Sequence, residues 1–507
     1  MGWRGTWSAL LACVAGLAAC GDSRQEELAA PACDWDEHIC SAARVLGQGY
    51  LGGFLGGSSQ LVVSVGDHSV EVWSADGATR TPAFPSSAWP QVGPTTGLVD
   101  VRTSGRTASL TVWDPDAREA RFVSDDLMVD DGKEPQFGVC GSRVWYWART
   151  DSRSANCAAI RVTDIRDPDG VALDLGYGCH TGQRVLAAFA PDCRSLFLQQ
   201  NDFDLSHHDL ATNVTTPLPG RPQPNWTYLF SDDGGTIAYR AEVDSADGKT
   251  VENRLFTATG SPLVVREIAT GTSGFRLSSD GSAVTFHRTD ATEPHSELYV
   301  ATADGRTVLV DVRASWTGAA VFSPDGRRIA YLRPGAQPAK RTLAVKDLDT
   351  DETWDVDDAV RDWELLYADV PGDAPVGELA ASLRADPPPR FSSSGRTLVY
   401  FGTDGERSLR SFDLETRTRT VHAVGPFYEP KTAGDWLAFK GDTGSLWLAD
   451  LRDDRPARVV SRRTVWTWDL APDALAMAQQ RDETGPMWDV TYLPLSRPGA
   501  SGTILGR

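Results

Sequence analysis

The feature that most constrains this chain is a ten-residue frame that recurs along it. In FSPDGRRIAY, from Phe322 to Tyr331, an apolar residue comes first, a glycine-containing turn follows, and a β-rich run ends on an aromatic residue. Proline presets φ in such a turn, aspartate accepts hydrogen bonds from nearby backbone N–H groups, and glycine takes the left-handed conformation that closes it. Each frame therefore predicts a β-hairpin.

The frame occurs eight times in one phase. Close copies begin at positions 230, 277 and 391, and looser copies begin at 137, 189, 430 and 470. A second hairpin pattern follows several frames, as in SELYVATADGRTVLV and SLWLADLRDDRPARVV, so each unit contains four strands. Units of this length are typical of propeller blades, which must stack because one small sheet cannot bury both of its faces alone.

These patterns predict an all-β fold, a β-propeller of four-stranded antiparallel blades. Two upstream stretches, QLVVSVGDHSVEVWSADG and ASLTVWDPDAREARFV, resemble further blades without the turn signature and raise the count of units to ten. We expect one ring of about eight blades, within a range of seven to ten. The long step between the frames at 322 and 391 predicts a surface insertion near residues 363–389, where VGELAASLRAD has helical spacing and DPPP ends it.

The repeat resembles the PD40 type of WD40-like propeller found in TolB and in some exported peptidases. The resemblance covers roughly residues 130–507, and its strongest matches are the four closest copies of the frame. It implies a rigid ring whose faces can hold a partner.

The N-terminus predicts export. In MGWRGTWSALLACVAGLAAC, one arginine precedes an apolar run that is too short to span a bilayer. The ending LAAC resembles the lipobox of bacterial lipoproteins, which implies a signal peptide over residues 1–19, acylation of Cys20 with chains such as palmitate, a tether over residues 20–45 and a propeller over residues 46–507. By the same resemblance, Gly21 implies an outer-membrane lipoprotein facing the periplasm or the cell surface. The alternative is an ordinary signal peptide cleaved after a small residue.

Composition narrows the range of partners. The formal net charge is −20 and acidic residues are scattered along the chain, so its surface repels phosphate backbones and nucleic acid is not an expected partner. We expect a monomer that is attached to the membrane only through its lipid and that binds a protein or glycan of the cell envelope.

Cysteine usage also fits export. Apart from Cys13 in the signal and Cys20, six cysteines remain: Cys33, Cys40, Cys140, Cys157, Cys179 and Cys193. An even number without any C-x-x-C suits three disulfides in an oxidising compartment better than a metal site.

Blade topology predicts how these cysteines pair. Cys140 and Cys193 fall in turns between first and second strands on one face of the ring, whereas Cys157 and Cys179 fall on the other face. Strands of about seven residues separate the two faces by about 20 Å, beyond the reach of a disulfide. We therefore expect Cys140 to pair with Cys193 and Cys157 with Cys179, and the remaining two cysteines, at 33 and 40, are close enough to staple the tether.

No catalytic motif is evident. The chain contains neither G-x-S-x-G nor H-E-x-x-H, so we assign no catalytic or metal-binding residue and expect no cofactor. His207 and His208 are expected on opposite faces of a strand as solvated residues. His287 and His295 flank a turn, as in the histidine-bearing propellers of oligogalacturonate lyase, which share this type of repeat. Acidic stretches at 167–170, 244–248 and 349–358 could bind calcium, although turn chemistry explains most of them.

The chain has 17 tryptophans, and two pairs of them alternate along strands. Trp145 and Trp147 form one pair, and Trp466 and Trp468 form the other. We expect such rings to fill the contacts between blades, whereas exposed tryptophans would indicate stacking on sugars or peptides.

Two hypotheses of function remain. The first is a lipid-anchored scaffold in the cell envelope that holds a protein or glycan. The second is a lyase or hydrolase that uses a divalent metal in the central funnel. The lack of catalytic motifs favours the scaffold, and a cluster of His, Asp and Glu at one mouth of the funnel would favour the enzyme.

Overall fold

A computed structural model describes most of the region between residues 44 and 495. The described ranges are 44–48, 50–55, 60–65, 69–84, 91–92, 98–104, 107–128, 137–149, 157–167, 172–179, 187–200, 204–221, 228–245, 250–289, 296–302, 305–314, 320–335, 340–360, 389–403, 406–453, 455–480 and 488–495. The predicted signal peptide, Cys20, Cys33, Cys40 and nearly all of the expected insertion lie outside these ranges. Within them the regular structure is entirely β-strand, and no helix there could cross a membrane.

Forty strands are present in the described ranges. The first twenty are β1 (Arg44–Gln48), β2 (Tyr50–Phe54), β3 (Gln60–Val65), β4 (Ser69–Ser74), β5 (Arg80–Phe84), β6 (Gln91–Val92), β7 (Leu98–Ser104), β8 (Thr107–Asp114), β9 (Glu119–Met128), β10 (Phe137–Cys140), β11 (Arg143–Arg149), β12 (Cys157–Asp164), β13 (Leu173–Cys179), β14 (Ala187–Phe189), β15 (Ser195–Gln200), β16 (Asp204–Asp209), β17 (Val214–Pro217), β18 (Tyr228–Phe230), β19 (Thr236–Asp244) and β20 (Val251–Thr259). The others are β21 (Val264–Thr270), β22 (Thr272–Leu277), β23 (Ala283–Thr289), β24 (Ser296–Thr302), β25 (Thr307–Ala314), β26 (Val321–Phe322), β27 (Arg328–Pro334), β28 (Arg341–Asp347), β29 (Thr353–Val360), β30 (Arg390–Phe391), β31 (Thr397–Gly402), β32 (Ser408–Asp413), β33 (Thr418–Val424), β34 (Phe427–Ala433), β35 (Trp436–Gly441), β36 (Leu446–Asp450), β37 (Arg458–Ser461), β38 (Val465–Ala471), β39 (Ala474–Gln480) and β40 (Trp488–Pro494).

The strands form ten four-stranded antiparallel blades in the described part of the chain. Blade 1 contains β2 to β5, each later blade takes the next four strands, and blade 10 contains β38, β39, β40 and β1. By hydrogen bonding there are eight sheets, because single bridges join blade 2 to blade 3 and blade 7 to blade 8. The predicted fold class is confirmed. The ten blades lie at the top of the expected range, because both upstream stretches without the turn signature are complete blades.

Side-chain packing closes the blades into a ring. Ten buried apolar clusters each lie between two successive blades, and the last of them joins blade 10 to blade 1. The N-terminal strand β1 reinforces this seam by pairing with β40 as the fourth strand of blade 10. First strands of neighbouring blades contact one another, for example β34 with β38 and β38 with β2, so they line the centre.

The ring has two faces. The turn face carries the turns between first and second strands, where the repeated frame places its glycine. The crossover face carries the loops between second and third strands and the connections between blades. In an antiparallel meander, every first strand begins at the crossover face and ends at the turn face.

A buried serine explains why the frame repeats so closely. Four frames carry it directly after their first apolar residue, as Ser231, Ser278, Ser323 and Ser392, and each serine is buried. Each Oγ accepts the backbone N–H five residues further on, at 2.9 to 3.1 Å. In three turns the Oγ also donates to the aspartate two residues further on, at 2.5 to 2.7 Å. Local bonds thereby close each of these turns.

The aromatic residue that ends the frame can reach the preceding blade. Tyr400 of blade 8 donates from Oη to Asp357 Oδ2 of blade 7 at 2.9 Å, and the same carboxylate accepts from Arg410 at 2.7 Å and from Arg419 at 3.0 Å. Although burial opposes ionisation, the bonds from the Ala359 N–H, Arg410 and Tyr400 hold the pKa of Asp357 below its ordinary value. We call this buried contact a tyrosine latch.

A second latch joins blades 6 and 7, and a third tyrosine lacks one. Tyr331 donates to Asp311 at 2.9 Å, and Arg333 donates to the same carboxylate at 2.5 Å. Tyr239 of blade 5 is as deeply buried as Tyr331, but its hydroxyl has no hydrogen-bond partner among the described residues. Blades 6 and 7 each supply an aspartate as the acceptor of a latch. At the equivalent place, blade 4 has Leu218, which packs in the same cluster as Tyr239.

Candidate functional site: an aromatic rim on the crossover face

Exposed aromatic side chains lie at equivalent places on three successive blades. Tyr428, Trp466 and Tyr50 stand at the beginnings of β34, β38 and β2, the first strands of blades 9, 10 and 1. Their exposed fractions are 54 %, 58 % and 43 %. Because first strands begin at the crossover face and line the centre, these side chains lie at one mouth of the central channel. With Trp488, they are called here the aromatic rim.

Trp488 and a lysine support Trp466. The ring of Trp488, at the start of β40, lies 5.6 Å from the ring of Trp466 at an angle of 40°. Lys440 Nζ donates to the backbone oxygen of Trp466 at 2.8 Å and lies 3.5 Å from Glu429 Oε2. Lys440 is also the residue directly opposite Tyr428 on the neighbouring strand. The rim therefore combines exposed rings with a fixed pair of opposite charges.

A polar contact behind the rim holds the three first strands together. Asp469 accepts from Lys431 Nζ through Oδ1 at 3.1 Å and from the Phe54 N–H through Oδ2 at 3.1 Å. The bonds join β34, β38 and β2 across the seam of the ring. Gly53 has a φ of +130°, and a Cβ there would lie 3.1 Å from Asp469 Oδ2, so glycine suits this close approach.

The two tryptophan pairs have different environments. Trp145 and Trp147 are buried between blades 3 and 4, as predicted, while Trp468 is buried between blades 9 and 10. For Trp466 the prediction of interblade packing is wrong. An irregularity in the strand pairing beside it interrupts the alternation, so the ring of Trp466 faces outward.

Sequence analysis missed the rim because its members are far apart in the chain and follow no shared motif. The signal that could have found it is an aromatic residue at the start of a first strand, which requires the strand boundaries.

The histidine pair differs in part from the prediction. His207 and His208 are successive residues of β16, which places them on opposite faces, but His208 is buried and not solvated. Its Nδ1 lies 2.8 Å from Thr215 Oγ1. Burial lowers the pKa of both histidines, which favours their neutral forms.

The described residues contain no group of three or more His, Cys, Asp or Glu side chains that could hold a metal ion. His287 is buried in β23 with Nδ1 2.8 Å from Ser296 Oγ, and His295 lies outside the described residues.

The longest acidic stretch, 349–358, divides its carboxylates among separate basic partners. Asp349 pairs with Arg327, Asp351 with Lys346, Asp355 with Arg333, and Asp357 with Arg410 and Arg419. The first two lie at a hairpin turn and the others on β29. Only parts of the stretches at 167–170 and 244–248 are described.

The structure contains a disulfide between Cys140 and Cys193, with a Cα–Cα distance of 5.3 Å, and it joins the turns of blades 3 and 4 on the turn face. Cys157 and Cys179 are paired residues of β12 and β13 at the crossover face. A disulfide between Cys157 and Cys179 stays a prediction, because the structure describes their backbone and not their side chains. Cys33 and Cys40 stay a predicted pair for the same reason.

No family model matches this chain, and no curated protein matches its sequence. Similar solved structures include an oligogalacturonate lyase in complex with manganese (14 % identity, 79 % of this chain and 97 % of that chain, TM-score 0.34). They also include TolB from Acinetobacter baumannii (16 % identity, 64 % and 78 %, TM-score 0.28) and a eukaryotic initiation factor (10 % identity, 87 % and 99 %, TM-score 0.47). The chain is similar to TolB and to other β-propeller proteins, and nothing about its activity follows from likenesses at this level.

Proposed function

We propose that this protein is a binding scaffold of the cell envelope that holds a protein or glycan partner at its aromatic rim. The observation that carries the proposal is the row of three exposed aromatic residues on blades 9, 10 and 1. Large, stiff, amphipathic rings supply contact area at low cost in conformational entropy, which is why Tyr and Trp are enriched in binding surfaces.

The location proposed for this scaffold comes from the N-terminal sequence. The ending LAAC supports acylation of Cys20, and Gly21 supports an outer-membrane location facing the periplasm or the cell surface. One acyl chain binds a membrane reversibly, and several chains anchor a protein stably. The propeller would then act as a monomer held at the membrane by its tether.

The test is purification from the native envelope after mild crosslinking, with mass spectrometry of what is bound. We expect a stoichiometric partner that is retained by wild type and lost in Trp466→Ala. A Cys20→Ala variant should leave the membrane fraction. Phe122→Ala is the matched control, since Phe122 is an aromatic residue with 65 % exposure on the fourth strand of blade 2.

Two results would refute the scaffold. One is the absence of any partner, protein or glycan, in wild type. The other is purified protein that carries a divalent metal and cleaves a polymer, which would support the enzyme hypothesis instead.

A further inference from the structure

The exposed rings of the rim form a row that crosses the junction between blade 10 and blade 1, and this row is called the track. Tyr428, Trp466 and Tyr50 belong to three first strands that contact one another in the order β34, β38, β2. Each of these three blades contributes one exposed ring at the equivalent place. The first strands of blades 3 to 8 have no large exposed hydrophobic residue there among the residues whose burial is described. A partner that follows this row meets one aromatic ring at each blade.

We infer that this track binds a linear, uncharged polysaccharide whose sugar rings stack on successive aromatic residues. The inference rests on the proposed function and assigns the class of partner. The face of an aromatic ring is negative, and the C–H groups on one face of a pyranose ring carry partial positive charge, so the two faces attract. A periodic polymer also matches a periodic row of rings better than a folded protein does.

Polar groups beside the rings suit sugar hydroxyls, which both donate and accept hydrogen bonds. The ion pair of Lys440 and Glu429 places a donor and an acceptor next to Tyr428. Lys440 is fixed by its bond to the backbone oxygen of Trp466, so it needs little further ordering when a ligand binds.

The charge distribution favours an uncharged chain over an acidic one. Beside the rim, Lys431 of β34 pairs with Asp469 of β38, and Lys440 of β35 pairs with Glu429 of β34. The net charge of the whole chain is −20, which repels a polyanion at long range.

The row also differs from a protein-binding hot spot. Hot spots are compact and become fully desolvated at the centre of an interface. Here the exposed rings are distributed over three blades, and the charged pair of Lys440 and Glu429 lies beside two of them. This arrangement is better suited to a flexible chain that contacts each ring separately.

Isothermal titration calorimetry with defined oligosaccharides tests the inference. The probes are cellohexaose, mannohexaose and the fully N-acetylated chitin hexamer as uncharged chains, the corresponding trisaccharides, and an alginate hexamer as the acidic comparison. We expect at least one uncharged hexasaccharide to bind, and to bind more tightly than its trisaccharide. Trp466→Ala should weaken that binding about tenfold, and Tyr428→Ala and Tyr50→Ala should each weaken it about three- to tenfold.

One control variant checks that the effect is specific to the rim, and several results would overturn the inference. Phe122→Ala should bind as wild type does. Lack of binding by all three uncharged hexasaccharides, or binding that Trp466→Ala and Tyr428→Ala leave unchanged, would overturn the inference. Preference for the alginate hexamer would overturn the assignment of an uncharged chain. A protein captured from the envelope and lost in Trp466→Ala would also overturn the inference, while the proposed scaffold function would stand.

Discussion

The interfaces between blades 7 and 8 and between blades 4 and 5 place the same residue in different environments. Tyr400 and Tyr239 both end a repeated frame and are both buried in an interblade cluster. Tyr400 donates to Asp357, whereas Tyr239 packs against Leu218 and has no described partner for its hydroxyl. A buried hydroxyl without a partner costs about 1–3 kcal/mol. The frame therefore fixes the position of the tyrosine, and the residue that the preceding blade supplies determines whether the hydroxyl stabilises the ring.

The other interfaces support this interpretation. Where the frame ends on Phe286 or Phe439, the preceding blade has an alanine at the place of the aspartate, Ala269 or Ala423. A phenylalanine needs no acceptor, so an apolar partner suffices. Tyr239 is therefore a frame tyrosine whose buried hydroxyl lacks an acceptor among the described residues.

The largest effect should come from removing the acceptor of the latch. Asp357→Ala leaves the Arg410 guanidinium, whose side chain is 4 % exposed, without its carboxylate. Breaking a buried ion pair in this way costs about 3–5 kcal/mol. Urea unfolding followed by tryptophan fluorescence should show this loss. Asp355→Ala is the control, because Asp355 is largely exposed on the same strand and its pair with Arg333 is worth less than about 1 kcal/mol. Equal effects of the two variants would show that the latch does not stabilise the interface.

Acid should destabilise the latched blade 8 through a buried histidine. Blade 8 also buries His422, whose Nε2 lies 2.8 Å from Ser411 Oγ, and burial lowers the pKa of His422 to about 4. Because the folded pKa lies below the ordinary value of 6.5, the unfolded state binds the proton first, and stability falls as the pH drops from about 6.5 to about 4. The loss should reach about 3 kcal/mol. Although burial opposes ionisation, the bonds from the Ala359 N–H, Arg410 and Tyr400 hold the pKa of Asp357 below its ordinary value, so its own titration is shifted to lower pH than that of an ordinary aspartate.

His422→Gln tests this titration. Glutamine keeps a polar group near the position of Nε2 and carries no charge in acid. The variant should lose less stability than wild type between pH 6.5 and pH 4, as measured by urea unfolding at several pH values, with the curves at pH 7.5 as reference. Identical pH profiles for the two proteins would contradict the assignment.

A smaller effect is expected from the donor of the latch. Tyr400→Phe removes only the hydroxyl and leaves Asp357 with its two arginines. A hydrogen bond to a charged group contributes about 1.5–3 kcal/mol, so we expect a loss of about 2 kcal/mol in the free energy of unfolding. An unchanged midpoint of urea unfolding would mean that the arginines alone satisfy the carboxylate.

Much of the fold could be predicted from the sequence, because the chemistry of each hairpin is local. The serine, the turn residues and the bonds that close the turn lie within six residues, as in Ser231 to Thr236. The closure of the ring could not be predicted, since β1 reads RVLGQ and pairs with a strand more than 400 residues away. The burial of individual tryptophan rings could not be predicted either. Trp145 and Trp147 share the spacing of Trp466 and Trp468, yet an irregular strand pairing exposes Trp466 alone.

The smallest effect should come from the tyrosine without a latch. Tyr239→Phe makes the same chemical change as Tyr400→Phe, but it removes a hydroxyl that has no described partner. We expect the free energy of unfolding to stay the same or to rise by up to about 1 kcal/mol, because the cost of burying the hydroxyl disappears. Urea unfolding of the two variants side by side measures the difference. If Tyr239→Phe loses as much stability as Tyr400→Phe, the hydroxyl of Tyr239 has an acceptor such as an ordered water, and the contrast between the two interfaces fails.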